Sequence, residues 1–180
     1  MLQAVPDLEL TFRKEDFPRV VNRDSFGPLF HGHGMEVRGK PFELDYKRYY
    51  QIEAEGRLVW IVASTVDHGP RLTPIGYACS FWYRDLHFDE RVAADDLWFV
   101  RKDFRGSGVG KTVKLMCHAE LKKQGVVRIY DAIRSDYNHP TLMQELEFEV
   151  WGRRWVKWCQ VFPDCSSAPD EDRLRGGAEG

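Results

Sequence analysis

The segment at residues 105–112 constrains the fold of this chain more than any other. It reads RGSGVGKT, with three glycines spaced two apart. The apolar run LWFV at 97–100 precedes it, and a long amphipathic segment follows. This order predicts a strand, a tight loop and a helix whose first backbone N–H groups face the loop. Glycines let the backbone approach a ligand closely, and the positive end of a helix favours an anion, so we predict a phosphate-binding loop.

A P-loop is one interpretation of this segment. Gly110, Lys111 and Thr112 match the end of the nucleotide-binding pattern G-x-x-x-x-G-K-[ST]. The first glycine of that pattern is missing, because Arg105 stands in its place. Charged residues at 101–103 also separate the loop from the apolar run, whereas a P-loop follows its strand almost directly. These departures leave a P-loop nucleotide binder as the weaker alternative.

Counted from Arg105, the same residues form the pattern R-x-x-G-x-G. This pattern, placed after an apolar strand and before a helix, resembles the acetyl-CoA loop of the GNAT acetyltransferases. Residues 98–106 resemble the strand, short turn and loop of that family. Glu147-Phe148 stands where the family usually has Gly-Phe, followed by a closing hairpin. The resemblance covers residues 58–158 well, and the N-terminal third only by the order of its elements.

The resemblance implies an α/β fold of the α+β type. We expect a single GNAT-like domain in which helices flank a mixed, mostly antiparallel, twisted sheet, and we assign residues 1–161 to it. Residues 162–180 are rich in Ser, Pro, Asp, Gly and Arg, and we expect them to form a disordered C-terminal tail.

Hydrophobic patterning predicts the elements inside that domain. Strands are expected at 8–12, 58–63, 74–83, 92–100 and 126–133, helices at 44–55, 109–124 and 140–146, a turn at 67–70 and a closing hairpin at 148–158. Between 17 and 40, glycines and Pro28 predict only short helix and loop. The succession of strand, helix and strand from 92 to 133 predicts a crossover and a locally parallel pair of strands.

Composition excludes several classes of protein. The chain has 180 residues, of which 43% are hydrophobic and 30% charged, as expected for one globular domain. Its formal net charge of −2 offers no general attraction to nucleic acid or to an anionic membrane. The four cysteines form no C-x-x-C pair, no apolar run is long enough to span a membrane, and the N-terminus does not read as a signal peptide. We therefore expect a cytoplasmic protein with reduced thiols and no metal.

The resemblance also implies which residues bind acetyl-CoA. Backbone N–H groups of the glycine loop would hold the pyrophosphate, with charge added by Arg105 and Lys111. The pantetheine arm would pair, like an extra strand, with main-chain groups of the strand before the loop. The complete set of predicted cofactor contacts is Phe99, Val100, Arg105, Gly106, Ser107, Gly108, Val109, Gly110, Lys111 and Asn138.

Two aspartates are candidates for the catalytic base. An attacking amine must be neutral, so a carboxylate, or a water held by one, assists the reaction. Strand alternation puts Asp96, Trp98 and Val100 on one face and Asp95 on the other. The family often has an acidic residue four positions before the equivalent of Val100, and Asp96 occupies this position. Asp96 is therefore the predicted base, with Asp95 as the alternative.

The group that protonates the departing CoA thiolate is less clearly marked. The family often uses a tyrosine five residues before the Phe of its Gly-Phe motif, and Met143 occupies that position. Tyr137 is the predicted replacement, with His139 as the alternative. A thiolate also leaves without full protonation, because a thiol has a pKa of about 8.5.

Three further segments carry alternatives of their own. His31 and His33 lie in a glycine-rich stretch that we interpret as a flexible loop bordering the acceptor groove rather than a metal site. The polar and aromatic segment 82–90 predicts either an acidic lip for a cationic amine or a solvated turn. Residues 151–158 alternate aromatic and basic side chains, which favours a structural hairpin or a dimer edge over a single-stranded nucleic-acid site.

Together these features predict an N-acetyltransferase. It would move an acetyl group from acetyl-CoA directly to a primary amine, either a small amine or a protein amine, because no Cys-His pairing suggests an acyl-enzyme. The expected partners are acetyl-CoA and the amine, without nucleic acid or membrane, and a homodimer is left open. Met143 keeps a second function open, in which the chain binds acetyl-CoA but is a catalytically weak regulatory module.

Overall fold

The computed structural model describes residues 9–66, 72–131, 140–146 and 148. A short 3-10 turn at Lys102–Phe104 follows the fourth strand. In chain order, the remaining elements are β1 (Leu10–Glu15), α1 (Phe17–Val21), α2 (Phe26–Arg38), α3 (Tyr46–Ala54), β2 (Leu58–Val66), β3 (Leu72–Arg84), β4 (Arg91–Val100), α4 (Val109–Lys123), β5 (Arg128–Asp131) and α5 (Pro140–Glu145).

The five strands form one sheet in the order β1-β2-β3-β4-β5. From β1 to β4, successive strands pair antiparallel, whereas β4 and β5 pair in parallel from Val92 to Asp95. Parallel neighbours need a crossover connection, and α4 supplies it. The predicted fold is therefore confirmed as a mixed, mostly antiparallel sheet flanked by helices.

Helices cover both faces of the sheet. In β2, Val59 and Ile61 belong to the apolar core beneath α4, while Trp60 and Val62 belong to a second core beneath α1, α2 and α3. Because both faces are covered, β2 is buried almost throughout and its sequence is continuously apolar rather than alternating. Burial on both faces explains why a continuous apolar run predicted this strand from the sequence.

The second helix corrects the sequence interpretation. Residues 26–38 form one continuous helix, where glycines and Pro28 predicted short helix and loop. Pro28 lies in the first turn, where its missing N–H has no intrahelical partner to lose. Packing compensates for the low helix propensity of this segment, because Phe26, Leu29 and His33 form a buried stripe at helical spacing. The pair of histidines at 31 and 33 is therefore helical rather than part of a flexible loop.

A β-bulge interrupts β4 and reverses part of its predicted facing. Cys79 of β3 pairs with Leu97 and Ser80 pairs with Asp95, so Asp96 is an extra residue in β4. The side chain of Asp95 points toward α4, as does that of Trp98, whereas Asp96 faces α3. The prediction that Asp96 and Trp98 share a face is wrong, because simple alternation fails across a bulge.

Several predicted elements lie outside the described residues. They are the turn at 67–70, the hairpin at 148–158 apart from Phe148, and the tail at 162–180, so the proposed boundaries of the domain stay predictions. Among the helices that the structure does describe, none combines the length and the apolar character that crossing a membrane requires.

Two glycines of α2 provide a matched test of its packing. A Cβ at Gly34 would lie 2.4 Å from the backbone nitrogen of Phe42 and 2.6 Å from the carbonyl oxygen of Lys40, whereas a Cβ at Gly27 would meet nothing within 4 Å. We expect Gly34→Ala to lower the free energy of unfolding by at least about 2 kcal/mol through overpacking. Gly27→Ala should raise it by about 0.5–1 kcal/mol, since alanine favours helix. Urea unfolding measures both, and equal stability of the two variants would contradict the close approach at Gly34.

Candidate active site

A pocket of about 700 Å³ lies beside the C-terminal half of β4. Its wall combines this strand with α2, the loop before α4 and side chains of α5. Asp96, the predicted base, is part of the wall. The predicted cofactor-binding residues that also line it are Phe99, Val100, Arg105, Gly106, Gly108, Gly110 and Lys111.

The loop before α4 has a backbone conformation that favours glycine. Gly106 and Gly108 have φ angles of 78° and 87°, in the left-handed region. A Cβ at either position would meet nothing within 4 Å, so the space beside the loop is open. Gly110 has a different role, because a Cβ there would lie 3.2 Å from the Trp98 ring. It lets α4 begin in close contact with β4.

The first turn of α4 offers backbone donors to this open space. The N–H of Thr112 donates to the carbonyl of Gly108 at 3.0 Å and begins the helical hydrogen-bond pattern. The N–H groups before it have no intrahelical acceptor, and α4 has no side-chain cap. The other two predicted loop contacts have side chains engaged elsewhere: Ser107 donates to the Phe104 carbonyl at 2.6 Å, and Val109 is buried. Any contact from these two residues to a ligand would come through the backbone.

Both basic side chains of the loop are paired with carboxylates. Arg105 contacts Glu36 of α2 at 2.8 Å and donates from Nε to the carbonyl of Val100 at 2.8 Å. Lys111 contacts Glu145 of α5 at 2.9 Å. These pairs partly neutralise the two cations and tie the loop to the helices on either side of it. The backbone N–H groups of α4 therefore make a large contribution to the positive potential of the site.

The two edges of β4 differ in how far they are paired with a neighbouring strand. On one side it pairs with β3 from Arg91 to Val100. On the other side it pairs with β5 only as far as Asp95, opposite Asp131. Within the described residues, the backbone of 96–100 therefore has no strand partner on the β5 side. This section lines the pocket and leads from Asp96 to the glycine loop.

Asp95 belongs to a buried ionic cluster. Its Oδ2 atom accepts from Lys114 Nζ at 2.5 Å and lies 3.2 Å from His118 Nε2, and Lys114 also contacts Asp131 at 2.8 Å. Burial alone would raise the pKa of Asp95, but the hydrogen bond from His118 and the charge of Lys114 lower it to about 2. A carboxylate held this firmly in its ionised form is a poor base, so the geometry favours Asp96 for that role.

Asp96 has a different environment at the mouth of the pocket. It is exposed on one side, and its carboxylate accepts a hydrogen bond from the hydroxyl of Tyr49 in α3. Partial burial raises the pKa of Asp96, while Tyr49 and the charge of Arg48 lower it. A raised pKa brings a carboxylate closer to the range in which it accepts a proton near neutral pH.

Tyr49 was missed by sequence reasoning. The sequence did predict a helix at 44–55, in which Tyr46, Tyr49 and Tyr50 follow one another at short spacing. These tyrosines pack around Phe17, and the ring of Tyr49 stacks on it at 4.9 Å. Aromatic spacing therefore signals core packing, but nothing local indicates which hydroxyl meets Asp96.

His33 also reaches the pocket, but in a structural setting. Its Nδ1 atom forms a 2.6 Å hydrogen bond with the hydroxyl of Tyr77, and its ring stacks on Phe99 at 4.7 Å. Burial lowers the pKa of His33 to about 4, so the ring is neutral at pH 7. In the described part of the chain, no group of three or more His, Cys, Asp or Glu side chains is arranged to hold a metal ion.

The structure describes only some of the remaining candidate residues. Met143 of α5 is 9% exposed and lines the pocket, so the position that often holds tyrosine in the family does face the site. Tyr137, Asn138 and His139 lie outside the described residues. The segment 82–90 contributes no described residue to the pocket wall. Asp85 there accepts the backbone N–H of His87 at 2.8 Å, as in a solvated turn.

The cysteines that the structure describes are poor nucleophiles. Cys79 and Cys117 are both free and buried. Burial raises the pKa of Cys79 well above its usual value and raises that of Cys117 to about 12. Both are therefore neutral thiols at physiological pH, and a neutral thiol attacks a thioester poorly.

The sequence matches the model of the acetyltransferase (GNAT) family over residues 24–145. The chain belongs to the GNAT family. No curated protein sequence matches it significantly. The family assignment removes the support for a P-loop nucleotide binder, whose glycine-lysine-threonine ending this loop shares by sequence alone.

Solved structures of GNAT acetyltransferases share the fold at low sequence identity. An acetyltransferase from Trypanosoma brucei has a TM-score of 0.62 and 15% identity, covering 83% of this chain and 99% of that one. The aminoglycoside acetyltransferase AAC(6′)-Iy, in complex with a bisubstrate analogue built from CoA and acetylneamine, has a TM-score of 0.61 and 18% identity over 84% and 99%. Glucosamine-6-phosphate N-acetyltransferase from Arabidopsis thaliana has a TM-score of 0.59 and 12% identity over 82% and 98%.

The ionic cluster predicts a specific dependence of stability on pH. The folded pKa of Asp95 is about 2, so its contribution is fully present above the unfolded pKa of about 3.9 and is lost as the pH falls toward 2. We expect Asp95→Asn to lower the free energy of unfolding at pH 7 by about 2–3 kcal/mol. The difference from the wild type should shrink on acidification.

Urea unfolding at pH 7, 5 and 3 measures this effect. Asp103→Asn is the matched control, because Asp103 is an exposed carboxylate paired with Arg101 at the surface. Its substitution should change the free energy of unfolding by less than about 1 kcal/mol. A loss for Asp95→Asn that stays constant at every pH would show that the carboxylate is not stabilised by charge.

Proposed function

We propose that this protein is an acetyl-CoA-dependent N-acetyltransferase that transfers the acetyl group directly to a primary amine. One observation carries the proposal: a single pocket contains the glycine loop, the section of β4 edge without a described partner, and Asp96. The glycine loop is suited to phosphates, and the β4 edge is suited to an amide-bearing arm. Asp96 is placed to act as a base. Family membership supports the same reaction.

The glycine loop fits the pyrophosphate of acetyl-CoA. The open space at Gly106 and Gly108 admits a ligand close to the backbone, and the first-turn N–H groups of α4, which have no side-chain cap, are available to bind it. The pantetheine arm carries amide groups that pair with an open strand edge, as in β-augmentation. From the loop, such an arm follows Val100 and Phe99 back toward Asp96, which brings its thioester end to the base.

The proposed chemistry follows from this order. The lone pair of a neutral amine attacks the thioester carbonyl carbon, the new C–N bond forms, and the C–S bond breaks to release the CoA thiolate. Asp96, directly or through a water, accepts the proton that the amine nitrogen loses. A backbone N–H of β4 beside the carbonyl oxygen would stabilise the negative charge that develops there. Tyr137 or His139 would return a proton to the thiolate.

Direct transfer is favoured over an acyl-enzyme route. The alternative needs a reactive cysteine, and the described thiols at Cys79 and Cys117 have raised pKa values and no histidine bonded to them. Met143 at the pocket wall supports a second candidate function, an acetyl-CoA-binding module with weak transfer activity. Turnover with a broad set of primary amines distinguishes the two.

We propose a primary amine as the acceptor and no narrower class. Among structures with the same fold, one binds an acetylneamine-based bisubstrate analogue, and another is a ribosomal-protein-alanine N-acetyltransferase from Brucella melitensis. Small amines and protein amines are thus both represented. A cytoplasmic location, a homodimer and the absence of nucleic-acid partners likewise stay predictions.

Substitution of Gly108 tests the cofactor site. A valine at Gly108 would project into the open space of the loop and would also distort its left-handed backbone. We expect Gly108→Val to weaken acetyl-CoA binding by at least about tenfold, which corresponds to about 1.4 kcal/mol. Isothermal calorimetry with acetyl-CoA, CoA and Mg-ATP measures the binding.

Gly56→Val is the matched control for this experiment. Gly56 has a similar φ of 67° and equally open surroundings, but it lies between α3 and β2 and does not line the pocket. It should lower thermal stability while leaving acetyl-CoA binding within about twofold of the wild type, a change of under about 0.5 kcal/mol. Equal affinity of the two variants, or wild-type binding of Mg-ATP in place of acetyl-CoA, would contradict the cofactor assignment.

Asp96 and Tyr49 predict the pH dependence of transfer. Asp96→Asn should reduce the rate more at neutral pH than near pH 10, where about half of a lysine-like amine, with a pKa of about 10, is already neutral without a base. Tyr49→Phe removes the hydrogen bond that lowers the pKa of Asp96, so that pKa should rise further. The acid limb of the rate profile should then move to higher pH, with activity recovered above it.

Both variants are compared with the wild type by measuring release of the CoA thiol from pH 6 to 10. The acceptor is the best amine from a screen. Tyr50→Phe is the control, because Tyr50 is an exposed neighbour in the same helix and also packs on Phe17. It should keep the wild-type profile. A pH-independent loss for Asp96→Asn would assign this carboxylate a structural role.

A further inference from the structure

Lys114 is the most deeply buried cation that the structure describes. It lies on the second turn of α4, and its side chain is 2% exposed. Its ammonium group contacts Asp95 at 2.5 Å and Asp131 at 2.8 Å, and it lies 5.0 Å from the centre of the Trp98 ring. Burial opposes its charged form, but the charges of the two aspartates raise the pKa of Lys114 above its usual value. Lys114 therefore stays protonated.

The two aspartates lie opposite each other on neighbouring strands of the sheet. Asp95 and Asp131 form the last described register pair of the parallel strands β4 and β5. The next residue, Asp96, is the extra residue of the bulge, and from there the edge of β4 faces the pocket. Lys114 thus binds both strands at the point where their described pairing ends.

The same three residues form part of the pocket wall. Asp95, Lys114 and Asp131 all line it, although their side chains are at least 88% buried. One lysine between two aspartates leaves an excess of one negative charge. Tightly paired ions therefore form part of the pocket wall, beside the Trp98 ring.

We propose that the Lys114 cluster, formed by Lys114, Asp95 and Asp131, determines the length of the acyl group by closing the pocket beside the last described pair of β4 and β5. This inference rests on the proposed function. An arm held at the glycine loop and extended along β4 covers about 17 Å from Val100 to Asp95, at about 3.3 Å per residue. Its thioester end therefore arrives at the cluster.

The chemistry of the cluster then selects the acyl group. An acetyl methyl is short enough to stop beside the ions. Each further methylene would have to displace or press on charged groups that already satisfy one another, which is costly because a buried charge that loses its partner is destabilised. A carboxylated acyl group would meet the excess negative charge. Lys114, Asp95 and Asp131 thus act as specificity-determining residues, and none of them takes part in proton transfer.

The double variant Lys114→Met/Asp131→Asn tests the proposal. It removes the ammonium and one carboxylate together, so the formal charge of the cluster is unchanged, and His118 remains as the hydrogen-bond partner of Asp95. We expect the wild type to bind acetyl-CoA at least about tenfold more tightly than butyryl-CoA. In the double variant this ratio should fall below about threefold, with the affinity for CoA itself within about twofold of the wild type.

Calorimetric titration with CoA, acetyl-CoA, butyryl-CoA and succinyl-CoA measures these ratios without an acceptor amine. Lys123→Met is the control, because Lys123 lies on the same helix with its side chain 71% exposed, and it should keep wild-type selectivity. The single variant Asp131→Asn leaves the Lys114–Asp95 pair intact. It should relax the ratio part of the way, which provides a test should the double variant not fold.

The outcomes separate the two proposals. Wild-type protein that binds none of the four compounds would contradict the proposed function and the inference together. Tight CoA binding with equal affinity for acetyl-CoA and butyryl-CoA would overturn only the inference. Unchanged selectivity in both cluster variants would overturn it as well. Parallel loss of affinity for CoA and every acyl-CoA would assign the cluster a purely structural role.

Discussion

The pairing of β4 is the constraint on which the rest of the site depends. Backbone groups at a strand edge require partners, and within the described residues β5 pairs with β4 only from Val92 to Asp95. The bulge at Asp96 falls at the same place and turns that side chain toward α3. Two features at one point of β4 therefore give the pocket its strand edge without a described partner and its candidate base.

Buried charge holds this part of β4 in place. Moving ions out of water is costly unless they are paired and hydrogen-bonded, and Asp95, Asp131, Lys114 and His118 satisfy one another. The surrounding core is apolar on both faces of the sheet, and the cluster joins α4 to both β4 and β5 through ion pairs. The two adjacent aspartates thus separate into different roles. Asp95 is fixed as an ion, and Asp96 keeps a raised pKa at the mouth of the pocket.

The pocket draws on segments that are far apart in the chain. Glu36 of α2 reaches Arg105 of the loop, and Glu145 of α5 reaches Lys111. The loop is consequently attached to elements on both sides of it, and its glycines keep the space between them open. Such an arrangement couples the position of the glycine loop to α2, which also carries His33 against Phe99. The N-terminal helices therefore shape the pocket beside the glycine loop as well as beside Asp96.

The sequence by itself determined the local elements, the family and the glycine loop. Apolar periodicity and the R-x-x-G-x-G spacing act over a few residues, so they can be read without the fold. Tertiary structure alone decided that residues 26–38 form one helix, because burial of Phe26 and Leu29 outweighs the low helix propensity of its glycines. It also decided the facing of Asp95 and Asp96, since a bulge depends on pairing between strands, and the meeting of Tyr49 with Asp96 across 47 positions. Contacts between distant residues have no local signature, and for that reason the different environments of Asp95 and Asp96 appeared only in the folded chain.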